Sequence, residues 1–159
     1  MDTSLRRDPD LLALVEAWPA TPALVLDERL DILAANAAHR ARWGDPATGL
    51  PAERRNVLLW LASARPFTGT DTDELLRGLY EHFRSAVAHF PDDPRPAHIT
   101  ELLHAVRPDA AHWWNCRTVA EFRPTTVTAP PDGTRLTFAL LRPVAAPGVL
   151  LLTQTPADG

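Results

Sequence analysis

Six histidines, one cysteine and twenty carboxylates are the side chains with which this chain could do chemistry. His82 and His89 stand seven apart in one helical pattern, about two turns, too far to share a metal unaided. There is no His-Glu-x-x-His and no Cys/His ladder, and His39, His98, His104 and His112 lack closely spaced partners. Cys116 is the single cysteine, so an internal disulfide and the four-cysteine zinc patterns are excluded. His112 and Cys116 form an i, i+4 pair, the spacing of a Cys–His nucleophile on a helix, although such a pair ordinarily carries no chemistry. Ser63 and Ser85 fall inside helical stretches and no Gly-x-Ser-x-Gly is present. The seven glycines are isolated, which rules out a P-loop and a dinucleotide fingerprint. No catalytic residue, no metal and no cofactor is therefore expected.

Binding is a different matter. Trp60, Tyr80, Phe83, Trp113, Trp114, Phe122 and Phe138 come from segments that would face one another. They could wall an apolar cavity, since small-molecule sites are mostly apolar with a few placed polar groups. Plain core packing explains the same residues. Arg117 and Arg123 precede the closing strands and could hold a ligand carboxylate with the planar guanidinium fork, or sit on the surface or in an ion pair. Asn36 could touch a ligand, but its position is that of a helix cap.

The elements that must position these residues read clearly. Asp8-Pro9-Asp10 starts a helix that carries Leu11, Leu14, Val15 and Trp18 on one face and stops at Pro19. Ala23–Leu26 and Leu30–Ala35, separated by Asp27-Glu28-Arg29, predict a hairpin. Asn36 then opens a short helix that ends at Trp43-Gly44. After a loop over 46–51, helices are predicted over 53–64, 71–90 and 97–106, with a short one from Pro108 through Trp114. The 71–90 helix carries Leu75, Leu76, Leu79, Phe83, Val87 and Phe90 as an apolar stripe. Gly78 sits inside that stripe at a cost of about 1 kcal/mol against Ala, unless something packs close to it. Strands are predicted over 118–128, 134–141 and 149–155, with Pro130-Pro131-Asp132-Gly133 as a turn. Strands at both ends and helices between them predict an α+β fold: a five-stranded antiparallel sheet, hairpin plus three closing strands, with helices over one face.

Bulk properties bound the rest. The chain has 159 residues, one ordinary domain, and is 45% apolar. All sixteen basic residues are Arg, and the formal charge is −4. That balance argues against direct nucleic-acid contact by this chain alone, because phosphate neutralisation needs a basic face. No run approaches a membrane span and no signal-peptide core is present, so a cytoplasmic location is expected. Residues 1–159 are read as a single domain with 1–7 and 156–159 flexible.

The order of motifs resembles a known family. It runs from Thr21-Pro22-Ala23 to Asn36, then Trp43-Gly44-Asp45, Glu53–Asn56, the Pro91–Arg95 break and three closing strands. This is similar to the MmyB-like ligand-binding domain, the sensory half of XRE-type helix-turn-helix transcription regulators. The resemblance implies a PAS-like fold, an internal pocket for a fatty-acid-like or other apolar ligand, and a homodimer; in the family a helix-turn-helix precedes this region, and none is expected within this stretch. The family tends to have histidines where Arg117 and Arg123 stand. The alternatives are a stand-alone pocket domain turned biosynthetic enzyme, using His82, Glu81 or His112, and a ligand-free dimerisation module.

Overall fold

The computed structural model describes residues 9–64, 70–113 and 121–157. Helix α1 (Pro9–Glu16) leads into strands β1 (Ala23–Asp27) and β2 (Ile32–Ala35). Helices α2 (Ala37–Trp43), α3 (Pro46–Gly49), α4 (Val57–Ala64), α5 (Thr70–Val87), α6 (Arg95–Val106) and α7 (Ala110–Trp113) fill the middle. Strands β3 (Thr125–Ala129), β4 (Thr134–Leu141) and β5 (Val149–Pro156) close the chain. The five strands form one antiparallel sheet, as expected, and their order in it is β2-β1-β5-β4-β3.

The period-two rule of a strand sorts side chains onto two faces. Leu24, Leu26, Leu136, Phe138, Leu150 and Leu152 point to the side covered by α4 to α7, where they join Leu58, Leu61, Leu75, Leu79 and Ile99 in the main core. Ala23, Val25, Val149 and Leu151 point the other way, into a smaller core closed by Leu11, Leu12 and Val15 of α1 and by Trp18. The sheet thus has helices on one face and α1 on the other. Buried on both sides, β1 and β5 read as continuous apolar runs rather than alternating ones.

Several boundaries differ from the sequence pattern, each for a local reason. The predicted 53–64 helix is broken in two, a 3-10 turn over Ala52–Arg54 and then α4, because Asn56 leaves the helix to cap it. Its Oδ1 accepts from Leu58 N while its Nδ2 donates to Arg29 O and Asp31 Oδ1. The predicted loop over 46–51 holds a turn of helix, with Asp45 as cap and Pro46 in first place. Helix α5 stops at Val87, so Phe90, assigned to its apolar stripe, is 41% exposed. Strand β3 starts at Thr125, with 121–124 irregular and 118–120 outside the described residues.

The hairpin turn is clamped to the helical layer by charge. Arg95 makes a two-pronged contact with Asp31 at 2.8 and 3.1 Å and donates to Glu53 O; Arg29 meets Asp93 at 2.6 Å. Leu30, between them, is fully buried at φ 65°. The left-handed backbone costs about 1–2 kcal/mol in a Leu, which its burial, worth about 1.5–3 kcal/mol, offsets.

Candidate functional site

Of the aromatic residues expected to gather, Trp60, Tyr80, Phe83, Trp113 and Phe138 are all buried in the main core. They fall into two groups. Tyr80 stacks with Phe83 at 6.2 Å between ring centroids and meets Trp113 edge-on at 5.8 Å. Trp60 sits apart from these, edge-on to His39 at 5.3 Å and to Trp43 at 5.9 Å. Phe138 lies on the sheet beneath the helices, opposite Gln154 in the β4–β5 register. Phe122 is half-buried against the same core, and its ring stands 3.3 Å from where a Cβ on Gly78 would be. That close approach is the reason for a glycine in the middle of α5. Trp114 and Arg117 lie outside the described residues, as does Cys116.

Arg123 is exposed, on the wall of an open groove of about 500 Å³ between α5 and the lead-in to β3. Asp73, Glu74, Arg77, Gly78, Glu81, Glu121 and Thr125 line the rest of it. The groove is charged, unlike the aromatic interior behind Phe122.

Trp113 is held from three sides. The guanidiniums of Arg77 and Arg107 lie over its ring at 5.5 and 5.4 Å, and Arg84 donates to its carbonyl at 3.2 Å. Each cation–π contact is worth about 0.5–1 kcal/mol where exposed and more where desolvated. Arg107 is fixed by Asp109 at 2.7 Å and Asp73 at 2.9 Å, which hold it firmly charged, while Arg107 in turn keeps the Asp109 carboxyl below its usual range. Burial raises the Tyr80 phenol, an effect partly undone by Arg84 nearby.

A second polar feature passed unmarked in the sequence. Gln154 is fully buried on β5, at an inward position that the strand's other inward residues fill with Leu. Its Oε1 accepts from Trp43 Nε1 at 2.7 Å, and its Nε2 stands 3.2 Å from His39 Nδ1. An indole N–H can only donate, so the amide oxygen must face Trp43 and the amide N–H must face His39. The His39 Nδ1 is therefore an acceptor, and the ring proton resides on Nε2. Burial, with the charge of Arg40 adding to it and Asp45 opposing, lowers the His39 pKa from 6.5 to about 4. A Gln among inward leucines was the sequence signal for this chain of bonds.

Histidines named as alternative acids or bases do not converge. His82 is half-buried on α5 near Arg142 and Glu28, its Nε2 without a hydrogen-bond partner among the described residues, and burial lowers its pKa. His112 is exposed on α7, and Glu81 lines the open groove. Among the described residues no group of three or more His, Cys, Asp or Glu could hold a metal ion.

An open antiparallel sheet with a helical layer over an apolar, aromatic-rich face defines a PAS-like α+β domain. The family model of the MmyB-like transcription regulator ligand binding domain matches residues 8–159, and the chain belongs to that family. It is accordingly a ligand-sensing domain of the transcription-regulator kind. No curated protein matches it. None of the helices among the described residues is long and apolar enough to cross a membrane.

Proposed function

We propose that this chain senses a small apolar or acyl, fatty-acid-like molecule for an XRE-type bacterial regulator, without catalysis, as one cytoplasmic domain working as a homodimer. Family membership over residues 8–159 carries the reading. Support comes from the aromatic interior between sheet and helices, where an apolar guest would meet Tyr80, Phe83, Trp113 and Phe138, with Trp60 to one side beside α2 and Phe122 at the margin. Arg123, with Trp114 and Arg117 beside it in sequence, is proposed to serve the guest's polar end.

Those rings are already packed on one another, so a guest must displace side chains. Trp113 can yield because α7 is a single turn, at the cost of its contacts with Arg77, Arg84 and Arg107, whereas Tyr80, Phe83 and Phe138 belong to long elements. Arg77 and Arg107 would then be left facing the vacated space.

Native mass spectrometry of the purified chain, followed by thermal shift across saturated acids of six to sixteen carbons, tests the proposal. Expected is a co-purified apolar species, or stabilisation by one chain length. Ligand at 100 times its Kd adds about 2.7 kcal/mol. No bound species and no shift with any acid would refute it.

A further inference from the structure

The carboxamide of Asn36 has every hydrogen-bonding group occupied, by four partners from three segments. Its Oδ1 accepts from Ala23 N at 3.0 Å, the start of β1, and from His39 N at 2.9 Å, the first turn of α2. Its Nδ2 donates to Thr21 O at 2.8 Å and to Val15 O at 3.1 Å, the last turn of α1. The residue is 1% exposed. An N-cap needs only the bond to His39 N; of the other three, two tie α2 to the start of β1 and its lead-in, and the third to α1 on the opposite face.

The two ends joined in this way belong to different cores. Helix α2 sends His39 and Trp43 into the main core, where Gln154 bonds both and Trp60 packs on both. Helix α1 rests on the smaller core, on the opposite face. Eight residues long, α1 is too short to be stable in isolation, so its helicity depends on that docking. Outside, Arg40 of α2 adds a strap to Glu16 of α1 at 2.6 Å, and the same guanidinium donates to Ala35 O. A small core, a short helix and one buried clip describe a unit able to open locally while the sheet stays folded.

We infer that Asn36 is a positioning residue that couples the seating of α1 to the packing of α2 around Gln154, so that a disturbance of the main core is felt as release of α1. Coupling of this kind is reciprocal: loosening α1 must loosen α2 to the same degree. The inference concerns the chain's own contacts and holds whichever ligand the interior takes.

Hydrogen–deuterium exchange on the full chain tests it in a four-protein cycle: wild type, Asn36→Ser, Trp43→Phe and the double variant. Serine keeps the cap oxygen but cannot reach Val15 O or Thr21 O. Asn36→Ser should speed exchange over residues 9–16 by about tenfold or more, the factor two net hydrogen bonds carry, with β4 and β5 within about twofold of wild type. Trp43→Phe removes the N–H to Gln154 and trims the ring that packs on Trp60, and should speed the same residues by about threefold in wild type but add nothing in the Asn36→Ser background. Equal factors in both backgrounds would overturn the inference, as would unchanged exchange of 9–16 in Asn36→Ser or faster exchange everywhere. Should Asn36→Ser fail to fold, Arg40→Ala on the exposed strap replaces it. That variant must speed 9–16 selectively and enlarge the Trp43→Phe effect, and the inference falls if either is missing.

Discussion

Two buried ionisable groups pull the acid stability of this fold in opposite directions, and removing either one should expose the other. His39 stays neutral in the folded chain down to about pH 4, against an ordinary 6.5. Below 6.5 the unfolded chain takes up a proton that the folded chain refuses. Stability from this residue is therefore complete above 6.5 and lost as pH falls to about 4. At about 1.4 kcal/mol per pH unit the loss is about 3 kcal/mol. Asp27 does the reverse. Burial first, and then the neighbouring Asp31, raise its carboxyl from 3.8 to about 6, although Asp31 N and Arg29 N both donate to it. Its contribution is complete below 3.8 and lost as pH rises to about 6, again about 3 kcal/mol. Over pH 4–6 the two nearly cancel. Urea unfolding followed by circular dichroism at pH 4.5, 5.5, 6.5 and 7.5 should give a shallow profile for the wild type. Asp27→Asn keeps the oxygen that accepts both N–H groups, and should be more stable than wild type at pH 7.5, then fall by about 2–3 kcal/mol by pH 4.5. His39→Gln should gain stability over the same interval, by a similar amount. If Asp27→Asn were as flat as the wild type, the neutral, hydrogen-bonded imidazole would be refuted. Carboxylates common to all variants cancel in the differences.

Three further outcomes follow from contacts described above. Arg95→Ala strands the Asp31 carboxylate, only 17% exposed, and should cost about 2–4 kcal/mol in chemical denaturation, more than Arg123→Ala, which should be within about 0.5 kcal/mol of wild type. Gly78→Ala gains about 1 kcal/mol of helix propensity but crowds the Phe122 ring, so it should leave the melting temperature nearly unchanged; with Phe122→Leu also present the gain should appear. Trp113→Ala should cost about 3–5 kcal/mol and leave an apolar cavity that binds benzene, read as a melting temperature that rises with added benzene, a response absent in wild type.

Much of this fold is legible from periodicity. The apolar runs of β1 and β5 and the three- and four-residue recurrence in α5 follow directly from burial, and burial is what hydrophobic pattern encodes. Even Gly78 could be read as a place where something packs close, though not that the something is Phe122, forty-four positions on. What the pattern does not carry is partnership between distant polar residues. Asn36 reads as a cap because capping is local; its bonds to Val15 and Thr21 depend on how α1 crosses the sheet. Asn56 reads as helix interior because its pull toward Arg29 and Asp31 comes from a hairpin twenty-five residues earlier. The motifs that carry the family resemblance are for the most part these ties: Asp31, Asn36, Trp43, Asn56 and Arg95. They describe how the frame is held, which is why the resemblance reveals a fold sooner than it reveals a guest. Of the aromatic set, the residues in α4, α5 and β4 were readable as inward from spacing alone. That Trp60 belongs with His39 rather than with Tyr80 was not, since it depends on where α2 comes to rest.

The position of β5 has a consequence for how the protein is made. Residues 149–156 leave the ribosome after every other strand, yet they form the middle of the sheet, between β1 and β4. Until they emerge, the nascent chain holds two separate hairpins, β1–β2 and β3–β4, and an isolated hairpin is marginal in water. Synthesis halted before Val149 therefore yields not a slightly weakened protein but an unfinished one with two bare strand edges, open to proteases and to pairing with a neighbour on the same messenger RNA.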